Sequence, residues 1–279
     1  MLNKLLAEKY IRPLEPLPTG LQPSGSIDGV VRCLIFDIYG TLLISGSGDV
    51  GTSMQAIRSD SRLRPLLLEF GIHRSPARLL EDFFSAIDQR HAQLKASGTQ
   101  YPEVKIDHIW TKVLDWPDRR SVRRFALAFE LIANPIYPMP GLKRLIGKCR
   151  KNGNMGIISN AQFYTPLLVE WFLGAALEQM GFQKDLLIFS YTSECAKPSE
   201  YLFQLAKKRL ERRAVSPADV LYVGNDMLND IMPAKKIGFK TALFAGDRRS
   251  LRLRENDERC RGVIPDIVIT TLSQLMAYL

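Results

Sequence analysis

No run of about twenty uninterrupted apolar residues occurs in the 279-residue sequence, which excludes a membrane-spanning helix of ordinary length. The opening stretch MLNKLLAEKYIRPLEP breaks its one apolar cluster with charge and proline, so it lacks a signal-peptide core and the chain reads as a soluble, cytoplasmic protein. Cysteine is scarce. Cys33, Cys149, Cys195 and Cys260 form no CxxC pair and no dense framework, which points to free buried thiols and away from disulfides or structural zinc. Histidine is scarcer: His73, His91 and His108 stand far apart, and no zinc site follows from them. Internal repeats and low-complexity tracts are also missing, so repeat architectures drop out.

What remains is a globular composition, 46% hydrophobic and 24% charged, in a chain long enough for about two domains or for one core carrying a large insertion. Lys and Arg outnumber Asp and Glu by 38 to 29, and the resulting +9 draws anions without choosing among them. A small anionic substrate is the expected partner; neither nucleic acid nor a membrane is, and oligomeric state is left open. The basic residues cluster at Arg119, Arg120, Arg123 and Arg124, at Lys207, Lys208, Arg209, Arg212 and Arg213, and at Arg248, Arg249, Arg252 and Arg254. Such clusters read as solvated faces.

Residues 1–29 read as an arm whose PLEPLPTGLQPSGS segment forbids regular structure and whose apolar cluster (Leu2, Leu5, Leu6, Tyr10, Ile11) could dock on a neighbouring subunit. VRCLIF at 31–36 is the first strand, a nearly unbroken apolar run of the kind that burial on both faces requires. Five more follow at 156–159, 186–190, 220–224, 241–244 and 266–270, separated by helical or loop sequence. This alternation predicts an α/β fold, a doubly wound parallel sheet forming a Rossmann-like core. More than a hundred residues separate the first two strands, too many for one crossover, and helical spacing recurs within them, so a helical cap is expected as an insertion. The expected divisions are the arm at 1–29, the core at 30–50 and 136–279, and the cap at 51–135, the chain returning through NPIYPMPG.

In such a sheet ligands bind beyond the carboxyl ends of the strands. Asp37 follows the first strand in FDIYGTLL, Ser159 and Asn160 the second, Lys197 the third in AKPSEYLF, and Asp226 and Asp230 the fourth in VGNDMLNDI. A desolvated carboxylate at the end of a buried strand needs partners, which makes Asp37 awkward as a merely structural residue. The other positions also have plain structural readings: Asp226 and Asp230 as complements to a helix N-terminus, Ser159 and Asn160 as helix caps, and Lys197 as a surface lysine. GSGDVG at 46–51 fits GxGxxG only formally, too far beyond the strand for a dinucleotide loop, and Gly46, Gly48 and Gly51 read instead as a flexible flap below the cap.

These four clusters, in order and each behind a strand, resemble the haloacid dehalogenase superfamily of hydrolases, in its subclass with a helical cap after the first motif. The resemblance implies that Asp37 is a nucleophile and that Thr41, Ser159 and Lys197 complete the catalytic set. It further implies that Asn160 and Tyr39 meet the substrate, and that Mg²⁺ binds Asp37, Asp226, Asp230 and the Tyr39 carbonyl. The chemistry is coherent, because a carboxylate can take a phosphoryl group covalently while cations and N–H donors neutralise its oxygens. One departure divides the family reading. Phosphatases of the family carry an aspartate, acting as general acid and base, where this chain has Tyr39. A tyrosine there resembles the metal-independent dehalogenases, whereas the acidic fourth motif resembles the phosphatases. A halide cradle would need a cap arginine, for which Arg58, Arg62 and Arg64 are poorly spaced, and a tyrosine where Phe203 stands, Tyr201 being offset by two. The expectation is therefore a Mg²⁺-dependent phosphatase acting on a small phosphorylated molecule, with 2-haloacid dehalogenase as the alternative and a nonenzymatic anion-binding protein as the third. Specificity would come from the cap, where Arg58, Arg62 and His73 are candidates.

Overall fold

The computed structural model describes residues 4–47, 61–151 and 154–279. The strands are β1 (Ser24–Gly25), β2 (Cys33–Phe36), β3 (Leu43–Ser45), β4 (Ile136–Pro138), β5 (Met155–Ser159), β6 (Phe182–Phe189), β7 (Val220–Gly224), β8 (Lys240–Phe244) and β9 (Ile267–Ile269). Seven of them form one sheet in the order β1-β9-β8-β7-β2-β5-β6, parallel throughout except for the short antiparallel pairing of β1 with β9. Each of the six apolar runs read from the sequence is a strand of this sheet; β6 starts earlier, at Phe182. In the central strand β2 every residue is buried, Leu34 and Phe36 toward one face and Cys33 and Ile35 toward the other. Burial on both sides is what a parallel strand covered by helices demands, and it explains why its sequence shows no polar alternation.

Register brings the strand ends together. Phe36 lies beside Ile157 of β5 and Val223 of β7, and the Asp37 N–H still donates to the Val223 carbonyl at 2.9 Å, so the three chains leave the sheet side by side. One face is covered by the helix Tyr201–Glu211, whose Leu202, Phe203, Ala206 and Leu210 pack with Ile35, Ile158 and Tyr222. The other face is continuous with the cap.

The described part of the cap contains the helices Leu63–Glu69, Pro76–Ala96, Ile106–Leu114 and Arg119–Ala133. Pro76 opens its helix behind a Ser75 hydroxyl that accepts from the Arg78 N–H, and Asp118 accepts from the N–H groups of Arg120 and Ser121 at the start of the last. Their apolar faces meet at the fully buried Trp110, stacked on Phe83 at 4.1 Å between ring centres and met edge-on by Phe125 and Phe129. Each such side chain contributes roughly 1.5–3 kcal/mol through burial.

Two connections differ from the sequence reading. The chain passes between core and cap through an antiparallel ribbon of β3 and β4, strands too short to leave a pattern. Its last rung ties the Gly46 N–H to the Pro135 carbonyl at 2.7 Å, and a Cβ at Gly46 would lie 2.9 Å from that oxygen, so this glycine serves close approach of two backbones and not a swinging flap. Gly48, Gly51 and Arg58 lie outside the described residues. The arm, in turn, is built into the fold. It forms the helix Lys4–Tyr10 and the edge strand β1, it buries Leu6, and Lys9 reaches Glu69 of the cap at 2.7 Å. Thr19 and Leu17 bond the backbone of Ala245 and Arg248. The apolar cluster expected to seek a neighbouring subunit thus packs, as far as it is described, on its own chain. Among the described residues no helix is long and apolar enough to cross a membrane.

Candidate active site

At the carboxyl ends of β2, β5 and β7 the chain buries an ammonium among carboxylates. Lys197 Nζ donates to Asp37 Oδ1 at 2.8 Å and to Asp230 Oδ1 at 2.6 Å, with its side chain 3% exposed. Burial alone would lower the lysine pKa, but Asp230 and Asp37 outweigh it and hold the ammonium above its ordinary value. Asn160 fixes the lysine backbone from both sides: its Oδ1 accepts from the Lys197 N–H at 2.7 Å and its Nδ2 donates to the Lys197 carbonyl at 3.2 Å. Asn160 therefore positions Lys197.

Asp230 has spent both oxygens. Oδ1 accepts from Lys197 and from the Tyr222 hydroxyl at 2.9 Å, and Oδ2 accepts from the N–H groups of Asn225 and Asp226, each at 3.0 Å. Burial presses its pKa upward, against the opposing pull of Lys197. The fold reaches this arrangement through Gly224, where a Cβ would fall 2.4 Å from the Asp230 carboxyl carbon. A side chain there would push the carboxylate out, so the glycine of VGNDMLND is part of the site.

Asp226 is equally occupied. Oδ1 accepts from the N–H groups of Leu228 at 2.8 Å and Asn229 at 3.2 Å, and Oδ2 from Asn229 Nδ2 at 3.0 Å. Arg254 closes on both oxygens, Nε to Oδ1 at 3.1 Å and Nη2 to Oδ2 at 2.6 Å. Magnesium needs hard oxygen donors with lone pairs to give. Asp230 and Asp226 have none left in this arrangement, and among the described residues no group of three or more His, Cys, Asp or Glu could hold a metal ion. The Mg²⁺ ligand set of Asp37, Tyr39, Asp226 and Asp230 expected from the sequence does not fit the side chains as they stand.

Above these groups opens a cavity of about 440 Å³ between core and cap. Asp37, Tyr39, Asn160, Lys197, Asp226 and Asp230 all line it. Thr41 and Ser159 do not. Both are fully buried beneath it, the Thr41 hydroxyl donating to Asn225 Oδ1 at 3.0 Å and the Ser159 hydroxyl turned toward the Asn160 carbonyl at 3.4 Å. As they stand they support the floor, which differs from the exposed catalytic position expected of them. The Tyr39 hydroxyl lies 3.0 Å from that of Thr165. Burial, with Glu130 and Asp37 adding to it, holds the phenol well above its ordinary pKa, so it is a poor replacement for a carboxylic acid.

Sequence reasoning overlooked part of the wall. Arg252 and Arg254, read as part of a solvated cluster, line the cavity together with Ser250, whose buried hydroxyl has no hydrogen-bond partner among the described residues. A buried donor of this kind needs a partner, and here a ligand can provide it. The cap side is apolar, with Phe83, Phe84, Ile87, Trp110 and Phe129, and it carries two carboxyls, Glu103 and Glu130. The expected cap candidates lie elsewhere: His73, Arg62 and Arg64 are exposed and none lines the cavity, Arg62 donating to the Ile132 carbonyl at 3.2 Å.

Glu103 accepts from Ser190 Oγ at 2.8 Å, the Val104 N–H at 2.9 Å and Gln162 Nε2 at 3.1 Å, yet burial outweighs these and pushes its carboxyl from 4.5 to about 7. A raised carboxyl costs no stability below its unfolded value, and the cost grows as pH rises through the folded value, to at most about 3 kcal/mol. The Glu103→Gln variant, which never ionises, should therefore gain on the wild type between pH 5 and pH 8. Urea unfolding of both at three pH values checks this; a difference that stays flat across the range would refute the burial argument.

A family model for haloacid dehalogenase-like hydrolases matches residues 31–238. The chain is 29% identical over 143 residues to glyceraldehyde 3-phosphate phosphatase of Pyrococcus furiosus, a match covering 50% of this chain and 54% of that protein. It thus spans about half the length of the curated relative it matches. Among solved structures, a 2-haloacid dehalogenase from Pseudomonas syringae aligns over 89% of this chain and 98% of its own, with a TM-score of 0.57 and 18% identity. A phosphatase from Thermococcus onnurineus aligns over 88% and 96%, with a TM-score of 0.52 and 20% identity. Both likenesses concern the fold.

Proposed function

Because the chain belongs to the haloacid dehalogenase-like hydrolases, we propose that it hydrolyses a small phosphate ester through a covalent intermediate on Asp37. Asp37 attacks phosphorus, the bond from phosphorus to the ester oxygen breaks, and the alcohol oxygen leaves with the electron pair. Water then attacks the phosphorus of the aspartyl phosphate, releasing inorganic phosphate and restoring the carboxylate. Lys197 takes Oδ1 of Asp37 at 2.8 Å, orienting the nucleophile and offsetting the charge that gathers as an anion approaches. The observation that carries this reading is another part of the lining: Ser250 with an unpartnered buried hydroxyl, and Arg252 and Arg254 along the same cavity. Donors and cations lining the same cavity as the Asp37 carboxylate suit an anion with several oxygens. The apolar cap wall suits the organic part of the ester.

Carbon–halogen hydrolysis is the second reading, favoured by Tyr39 and by the poor fit of a metal. Against it stand the aromatic residues considered for a halide cradle. Phe203 is buried on the far face of the sheet against Tyr222, and Tyr201 is 53% exposed and lines no part of the cavity. A panel of phosphate esters and 2-haloacids separates the two by the ion released. With no carboxylic acid at the Tyr39 position, p-nitrophenyl phosphate should turn over faster than alkyl phosphates by about 10²–10⁴, the usual worth of general acid assistance. Halide release without phosphate release would reverse the ranking.

A further inference from the structure

Asp226 lines the cavity together with Asp37, Lys197 and Asp230, and among its partners is a cationic side chain. Arg254 grips it in a two-pronged ion pair, with the carboxylate side chain 9% exposed and the guanidinium 31%. The loop that brings the arginine there is pinned. Arg252 N–H donates to the Asn225 carbonyl at 3.0 Å and the Met227 N–H donates back to the Arg252 carbonyl at 2.9 Å, so Arg254 stands two residues beyond a backbone bridge to Asp226 itself. At Arg254 the chain takes a left-handed backbone conformation (φ 55°), which a non-glycine residue adopts only where its surroundings enforce it. The positive charge thereby lies against one of the acidic groups whose oxygens a divalent cation would need.

We propose that Arg254 is the resident cation of this site, occupying the place at Asp226 that a divalent metal would take and supplying the positive charge for an anionic substrate. The catalytic half of this statement rests on the phosphate-ester reading; the exclusion of metal does not. A guanidinium presents planar, fixed N–H donors that match an oxyanion bidentately, and it is charged at every working pH. Unlike a bound metal, it cannot be removed by a chelator.

Manganese, followed by electron paramagnetic resonance of the free ion, is the probe. The wild type should leave Mn²⁺ unbound at millimolar concentration. Arg254→Met keeps the length of the stem and removes the charge, which should tighten Mn²⁺ binding by about tenfold or more, the scale expected when a close charge pair is broken. Arg254→Lys, which keeps a charge beside Asp226, should stay near the wild type. Mn²⁺ binding by the wild type as tight as by Arg254→Met would overturn the proposal, and so would an Arg254→Met protein, folded by circular dichroism, that gains no binding. The wild-type titration stands even if the variant does not fold. Activity supplies a separate arm: p-nitrophenyl phosphate turnover by the wild type should be unchanged by EDTA. Loss of turnover in EDTA overturns the proposal. Absence of turnover on any phosphate ester defeats the phosphate-ester reading, while the Mn²⁺ result still decides whether Arg254 holds the metal's place.

Discussion

Replacement of Asp37 by asparagine should lower turnover of p-nitrophenyl phosphate by about four orders of magnitude or more while the protein stays folded. The scale is that seen when one member of a nucleophilic machinery is removed. An amide at this position offers no anionic oxygen to attack phosphorus, so no covalent intermediate forms. Stability should change little, because Lys197 keeps Asp230 at 2.6 Å and is not left as a solitary buried charge. This separation makes the test clean: a fall in rate without a fall in unfolding free energy identifies Asp37 as chemically engaged. Turnover above about one per cent of the wild-type rate would remove the nucleophile from the mechanism, and with it the grounds for treating the cavity floor as a reaction centre.

The sheet was legible because it is buried on both faces. Runs such as CLIF and VLYVG become β2 and β7 with no polar residue to interrupt them. The order of the strands' last residues also foretold which side chains would share the cavity, since Asp37, Asn160, Lys197, Asp226 and Asp230 leave neighbouring strand ends. Direction was not legible. Thr41 and Ser159 belong to the same motifs, yet both point beneath the floor, because position after a strand gives proximity and says nothing of which way a hydroxyl turns. Arg252 and Arg254 were hidden for a different reason. In sequence they look like any charged loop, and only the fold reveals that backbone bonds to Asn225 and Met227 carry that loop across the strand ends. The ribbon of β3 and β4 and the edge strand β1 are too short for a period-two signal to form, so the arm and the cap junction were read as irregular.

Lys197→Met should be the most destabilising change at the site, costing about 3–5 kcal/mol, because it leaves two buried carboxylates without their cation. In the wild type the elevated lysine pKa means that this ion pairing is fully present below the ordinary lysine range and is lost only as pH rises through the elevated value. In the variant the burden passes to Asp230. Its carboxyl, already pressed upward by burial and by Asp37 and Asp226, loses the one charge that opposed them. A carboxyl raised in this way costs nothing below its unfolded value and most above its folded one, so the variant's deficit should narrow as pH falls from 8 to 5. Adding Asp230→Asn to Lys197→Met should recover at least about 1 kcal/mol at pH 8 and little at pH 5, since the second substitution removes a charge that is present only at the higher pH. Urea unfolding of the wild type, the single variant and the double variant at both pH values gives the comparison. A deficit equal at the two pH values would mean that Lys197 contributes by packing along its stem, and the electrostatic account of the cavity floor would fail with it.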